Sequence, residues 1–107
     1  MAQNSSEVLE RLFKTIESRK TTNPSSSYTA KLFAAGIPEI SKKVGEEAVE
    51  IIIAGLNNPG SIASESADLL YHLLVLWAAA EINPSDVWSE LERREDVSGL
   101  VEKASRK

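Results

Sequence analysis

Cysteine is absent from this 107-residue chain, and histidine occurs once, at position 72. Without cysteine there is no disulfide, no thiolate zinc site and no cysteine nucleophile, which suits a reducing, cytosolic compartment. A single histidine excludes zinc sites built from several imidazoles and the di-iron bundle with paired Glu-x-x-His motifs. The basic excess that duplex nucleic acid demands is also missing: 12 basic side chains face 16 acidic ones, a net charge of −4, so no nucleic-acid partner is expected. The most apolar run, Leu69 to Ala80, contains Tyr71 and His72 and falls short of the ~20 residues that span a bilayer. The opening Met1-Ala2-Gln3-Asn4-Ser5-Ser6 has neither the basic cluster nor the apolar core of a signal peptide. No membrane partner is therefore expected. Gly-x-Ser-x-Gly and a glycine-rich phosphate loop are both lacking, which argues against acyl transfer and P-loop chemistry.

What the chain has in abundance is helical periodicity. Val8, Leu9, Leu12, Phe13 and Ile16 mark an amphipathic helix over 6–18, capped by Ser5 or Ser6. Residues 19–26 turn polar and read as a loop, a place for a segment that covers substrate. Ser27 caps a short helix over 28–35 that Gly36 closes, and Pro38 opens the next, running to about Gly55. After Asn57-Asn58-Pro59-Gly60, Ser61 or Ser64 starts a long helix to about Glu81. Asn83-Pro84 begins a last amphipathic helix through Val87, Trp88 and Leu91 that ends near Glu92 to Asp96. The segment 97–107 reads as a helical turn or as a disordered tail. The expected fold is all-α: one domain over 1–107, an antiparallel bundle of about four to five helices. The helix holding Leu69, Leu70, Leu73, Leu74, Val75, Leu76 and Trp77 is apolar on nearly every side and needs cover on every side. Four short helices scarcely supply it, so a homodimer or higher homo-oligomer is expected, with this hairpin at the interface.

Chemistry concentrates in Lys42-Lys43-Val44-Gly45-Glu46-Glu47-Ala48-Val49-Glu50 and in Glu65-Ser66-Ala67-Asp68. Residues three apart share a helix face, so Glu47 pairs with Glu50 and Glu65 with Asp68. Glu47 and Asp68 are equidistant from the midpoint of the turn, as are Glu50 and Glu65, so in an antiparallel hairpin the two pairs face each other. At ~5 Å and an effective dielectric of about 20, each like-charged pair costs about 3 kcal/mol. Cations must neutralise the group or some carboxyls must stay protonated. Glu50, set among Ala48, Val49, Ile51, Ile52 and Ile53, is expected to be buried on most sides. An all-oxygen ligand set favours magnesium or manganese over zinc or copper, and magnesium so held keeps positions open for substrate phosphates. Phosphate chemistry follows.

Plainer readings stand beside these. Lys42 with Glu46 and Lys43 with Glu47 are i, i+4 pairs that stabilise a solvated helix by a few tenths of a kcal/mol, yet they leave Glu50, Glu65 and Asp68 unexplained. His72 lies level with Lys43 and is either a satisfied core histidine or a phosphate contact. Lys31, Lys42 and Lys43 are either solvated side chains or phosphate ligands. Tyr28 and Trp77 read as core rather than as nucleobase platforms. Gly45, which costs its helix about 1 kcal/mol relative to alanine, is a candidate for close backbone approach.

Glu46-Glu47-x-x-Glu50 followed by Glu65-x-x-Asp68 resembles the signature of the all-α nucleotide pyrophosphohydrolases of the MazG-like superfamily. Ser27-Tyr28-Thr29-Ala30-Lys31-Leu32, Lys42 to Glu47, Asp68-Leu69-Leu70-Tyr71-His72 and Ser98-Gly99-Leu100-Val101-Glu102-Lys103-Ala104 are similar, within that group, to the phosphoribosyl-ATP pyrophosphatases. The resemblance implies Mg²⁺-dependent hydrolysis of phosphoribosyl-ATP to phosphoribosyl-AMP and pyrophosphate, the second step of L-histidine biosynthesis, by a cytoplasmic helical homodimer or larger assembly. It implies Glu47, Glu50, Glu65 and Asp68 as metal ligands, with Glu46 a ligand or the group that orients water. The alternatives are a general nucleoside triphosphate pyrophosphohydrolase and a non-enzymatic helical dimerisation module.

Overall fold

The computed structural model describes residues 5–95 and 97–106; Asp96 and Lys107, which the sequence assigns to a helix end and a tail, lie outside them. Six α-helices and no strand occur among the described residues: α1 Glu7–Ser18, α2 Tyr28–Ala35, α3 Ile37–Asn57, α4 Ile62–Ala79, α5 Pro84–Arg93 and α6 Gly99–Ser105. The all-α fold holds.

Local chemistry sets most boundaries. Ser27 Oγ accepts the Ala30 N–H at 3.1 Å to start α2, and Gly36, at φ 95°, ends it in the left-handed region that a side chain disfavours. Asn83 and Asp86 form a reciprocal capping box at the head of α5. Ahead of α1, the Ser6 side chain makes no cap bond and Ser5 Oγ takes the Glu7 N–H instead, at 3.3 Å. The polar stretch before α2 is less irregular than its composition suggests. It folds into two single 3₁₀ turns, Arg19–Thr21 and Pro24–Ser26, the second organised by Asn23 Oδ1, which accepts from the Ser25 N–H at 2.9 Å. The C-terminal segment is a helix, capped by Ser98 Oγ on the Val101 N–H at 3.1 Å.

The antiparallel pair α3 and α4 is the main contact of the fold, with α1 and α2 laid against it. Their cover is one-sided. Ile16, Leu32, Ile40, Leu74, Val75 and Ala78 form the core, joined by partly buried Leu12, Phe13, Tyr71 and Trp77. Ile40 belongs to the start of α3 and Tyr71, Leu74, Val75, Trp77 and Ala78 to the second half of α4, where Leu12, Phe13 and Ile16 of α1 and Leu32 of α2 pack against them. Towards the turn the hairpin is bare, with Ile52 at 59 % and Leu56 at 77 % exposure.

Two expectations are corrected by this arrangement. Glu50 is exposed, as are Val49, Ile52 and Ile53, because none of the described residues covers their side of α3. Tyr28 is 52 % exposed and so is not core, whereas Trp77 does pack, edge-to-face on Trp88 at 5.9 Å between centroids. Gly45 also proves unneeded for close approach within the chain, since a Cβ there would meet nothing within 4 Å. Among the described residues no helix is long and apolar enough to cross a membrane.

Candidate active site

The α3–α4 hairpin brings Glu47, Glu65 and Asp68 together, one oxygen from each lying within 4.8 Å of the others. Glu47 reaches across from α3, and Glu65 and Asp68 stand one turn apart on α4, so the antiparallel alignment meets the equidistance argument for Glu47 and Asp68. Two oxygens on opposite sides of a magnesium ion lie about 4.2 Å apart at bond lengths of about 2.1 Å. The spacing of the trio is thus near to what ligands of one such cation would require, with the oxygens drawn somewhat closer. Glu47 and Glu65 are half-buried and Asp68 is exposed, so the cluster is walled on the helix side and open to solvent on the other. That is the shape a cation needs if it is also to receive ligand oxygens from a substrate.

Charge is unbalanced here. Loss of hydration against the hairpin, followed by the charges of Asp68, Glu50 and Glu47, raises the Glu65 carboxyl above its ordinary value of 4.5. Glu50 stands outside the trio, in solvent, yet is near enough for its charge to bear on Glu65. Among the described residues, Lys43 is the cation that pairs with an acid of the cluster. It pairs with Glu46 at 3.1 Å and with Glu47 at 4.0 Å, and the bond to Glu46, then nearby Tyr28, raises its ammonium above 10.5. Lys42 pairs with Glu39 at 4.0 Å rather than with Glu46. Lys31 is exposed on α2.

His72 is buried one turn beyond Asp68. Its Nδ1 lies 2.8 Å from the backbone carbonyl of Asp68 and its Nε2 2.9 Å from the Tyr28 hydroxyl. A carbonyl can only accept, so Nδ1 carries a proton; with the ring neutral, Nε2 accepts from Tyr28. Both nitrogens are thus engaged within the chain, which is the satisfied-histidine alternative. Neither is free for a phosphate in this arrangement. A second tie between α2 and α4, from Thr29 Oγ1 to the Tyr71 hydroxyl, lies beside it.

A second charged cluster, which sequence reasoning missed, sits at the α5–α6 junction. The Glu102 side chain is 7 % exposed and accepts from Arg93 at 2.7 Å, with Arg94 and Arg106 at 3.7 and 3.8 Å. Glu90 joins through Arg93 at 2.7 Å and Arg94 at 3.1 Å, and these two arginines pull its carboxyl down from 4.5 to about 2. The i, i+4 spacing of Glu102 and Arg106 was a signal, but nothing in spacing alone brings Arg93 and Arg94 onto Glu102. The two surface concavities among the described residues, one lined by Phe13, Lys20 and Ile82 and the other by Trp88 and Leu91, lie away from the carboxylates of the hairpin.

A model of the phosphoribosyl-ATP pyrophosphohydrolase family matches residues 9–95, which takes in every acid of the hairpin cluster. The chain belongs to this family. As a phosphoribosyl-ATP pyrophosphohydrolase family member it is a hydrolase, and its relatives align over nearly all of it. The phosphoribosyl-ATP pyrophosphatase of Parvibaculum lavamentivorans is 56 % identical over 107 residues, covering 99 % of this chain and 97 % of the relative. That of Azospirillum brasilense is 53 % identical over 104 residues, covering 96 % and 94 %. That of Paramagnetospirillum magneticum is 54 % identical over 107 residues, covering 99 % and 97 %. The family model stops short of α6, but the first and third of these alignments extend through it, so the C-terminal clasp belongs to the shared length.

Proposed function

We propose that the chain hydrolyses phosphoribosyl-ATP to phosphoribosyl-AMP and pyrophosphate, the second step of L-histidine biosynthesis, with magnesium or manganese. The observation that carries this reading is the meeting of Glu47, Glu65 and Asp68 within 4.8 Å in a chain of this family. These three residues hold the cation, and Glu50, one turn along α3, completes the set by swinging in from solvent. Bound magnesium supplies charge neutralisation on the phosphates and a coordinated water of lowered pKa. Glu46, fixed by its pair with Lys43, orients the attacking water from the rim. Lys31 and Lys42, both exposed, steady the departing pyrophosphate, and Lys43 offsets the anionic wall.

The same reading makes the active species a cytoplasmic homodimer. The bare faces of Val49, Ile52, Ile53 and Leu56 form the kind of apolar surface that a second hairpin buries. Light scattering checks the assembly, and a monomer at micromolar concentration counts against it.

The reaction is tested by pyrophosphate release from phosphoribosyl-ATP compared with ATP and the deoxynucleoside triphosphates, each with magnesium. Release from phosphoribosyl-ATP alone is the expected result. Equal rates on ordinary triphosphates would make the chain a general nucleotide pyrophosphohydrolase, and no release from any of them would leave a dimerisation module.

A further inference from the structure

Tyr28 is the aromatic residue that stands out of place. It belongs to the first turn of α2, is half-exposed, and yet its hydroxyl is fixed 2.9 Å from Nε2 of a buried histidine. That histidine cannot turn, because its other nitrogen is bonded to the Asp68 carbonyl at 2.8 Å and Tyr71 packs edge-on against it at 5.7 Å between centroids. Tyr28 itself meets His72 edge-on, at 5.9 Å and 80°. The result is a ring held at its polar end by a buried acceptor, with about half of its surface exposed. An exposed aromatic with that much of its freedom already removed loses little more when a flat ligand lies on it.

We infer that Tyr28 is a stacking platform for the purine of the substrate. The inference rests on the reaction proposed above, which sets the phosphates at Glu47, Glu65 and Asp68. His72 is one helical turn from Asp68, about 6 Å along α4, and the Tyr28 hydroxyl lies 2.9 Å from its Nε2. Lys43 is near enough for Tyr28 to bear on its charge, and it leans towards the cluster through Glu46 and Glu47. Cation site, lysine and aromatic face thus follow one another in the order phosphate, phosphate and base. Stacking tolerates any base with a π-face, so Tyr28 sets affinity for a nucleotide as against a bare polyphosphate.

The test is a substitution series assayed on phosphoribosyl-ATP. Tyr28→Leu keeps apolar bulk and removes the aromatic face, and is expected to raise KM about 10- to 100-fold while kcat changes less than about threefold. Tyr28→Phe and Tyr28→Trp lose the bond to His72 but keep a face, and are expected to recover most of the KM. Inhibition by inorganic tripolyphosphate, which has no base, is expected to be the same in all four proteins. The platform is overturned by a KM indifferent to Tyr28→Leu. It is equally overturned if Phe and Trp fail along with Leu, which would make the hydroxyl tie the whole role, or if tripolyphosphate inhibition weakens in step with KM. A wild-type protein inactive on phosphoribosyl-ATP would instead remove the proposed reaction, so the two failures are told apart by the wild-type rate.

Discussion

At the middle of the α3–α4 hairpin three carboxylates converge with a single lysine beside them, whereas at the α5–α6 junction two carboxylates meet three arginines. The two groups answer differently to the same physics. In the clasp, opposite charges stabilise the ionised forms, so the Glu90 carboxyl is pulled down to about 2. In the hairpin, like charges and lost hydration push Glu65 up. The clasp is complete by itself and needs nothing from outside the chain. The hairpin cluster keeps an excess of negative charge, which the proposed cation would balance, and such an imbalance is what marks a candidate working site.

The most forceful way to break the comparison is to remove one acid from each side. Asp68→Asn is expected to lower turnover of phosphoribosyl-ATP by about a thousandfold, the several kcal/mol that metal-assisted charge stabilisation is worth, with circular dichroism unchanged. Glu102→Gln leaves turnover within about threefold of wild type. Equal losses in the two variants would erase the distinction. Magnesium itself is the next lever. Added at a hundred times its dissociation constant, it should stabilise the protein against melting by about 2.7 kcal/mol; the shift should vanish in Asp68→Asn and persist in Glu102→Gln. A protein whose melting ignores magnesium would take the cation away from the hairpin.

A smaller effect is expected from the clasp alone. Glu102→Gln removes the charge on which Arg93, Arg94 and Arg106 converge, but those arginines are 38–56 % exposed and stay hydrated. Melting should fall by only a few degrees, and α6 should lose its amide-exchange protection before any other helix does. The least effect is in the pH dependence, where the two clusters have opposite signs. Because Glu65 is raised in the folded state, its ionisation works against the metal-free fold, and stability falls as pH rises from 4.5 through the raised value. Glu65→Gln should flatten that limb. Because Glu90 is depressed, its contribution is fully present above 4.5 and is lost as pH falls towards about 2. Thermal melts across pH 2–8 without magnesium, on wild type and Glu65→Gln, separate the two.

Much of this was readable in the residues themselves. Ser27 with Gly36, and Asn83 with Pro84, mark helix ends through local hydrogen bonding and backbone preference, which need no knowledge of the fold. The meeting of Glu47 with Asp68 was readable because an antiparallel hairpin has only one free choice, the place where it turns. Glu50 was not readable in the same way. Ile51, Ile52 and Ile53 announce a need for cover but not whether this chain or another copy provides it, and in this chain the cover stops short. Tyr28 was misread because an aromatic beside apolar residues is core by default, and its exposure depends on a tie to a histidine 44 positions away. The burial of Glu102 was missed for the converse reason: an isolated charge on a short helix gives no sign that arginines of another helix fold over it.

The turn between α3 and α4 has a consequence for how this molecule tolerates change. Surface connections ordinarily accept an added residue without harm. Here Asn58 to Ser61 act as a ruler, since each residue passed from the turn into a helix carries everything beyond it about 1.5 Å along and about 100° around the axis. A single such slip would swing Glu65 and Asp68 away from Glu47 while leaving both rods helical. The connection within the hairpin therefore bears on the proposed chemistry as much as the acids it aligns.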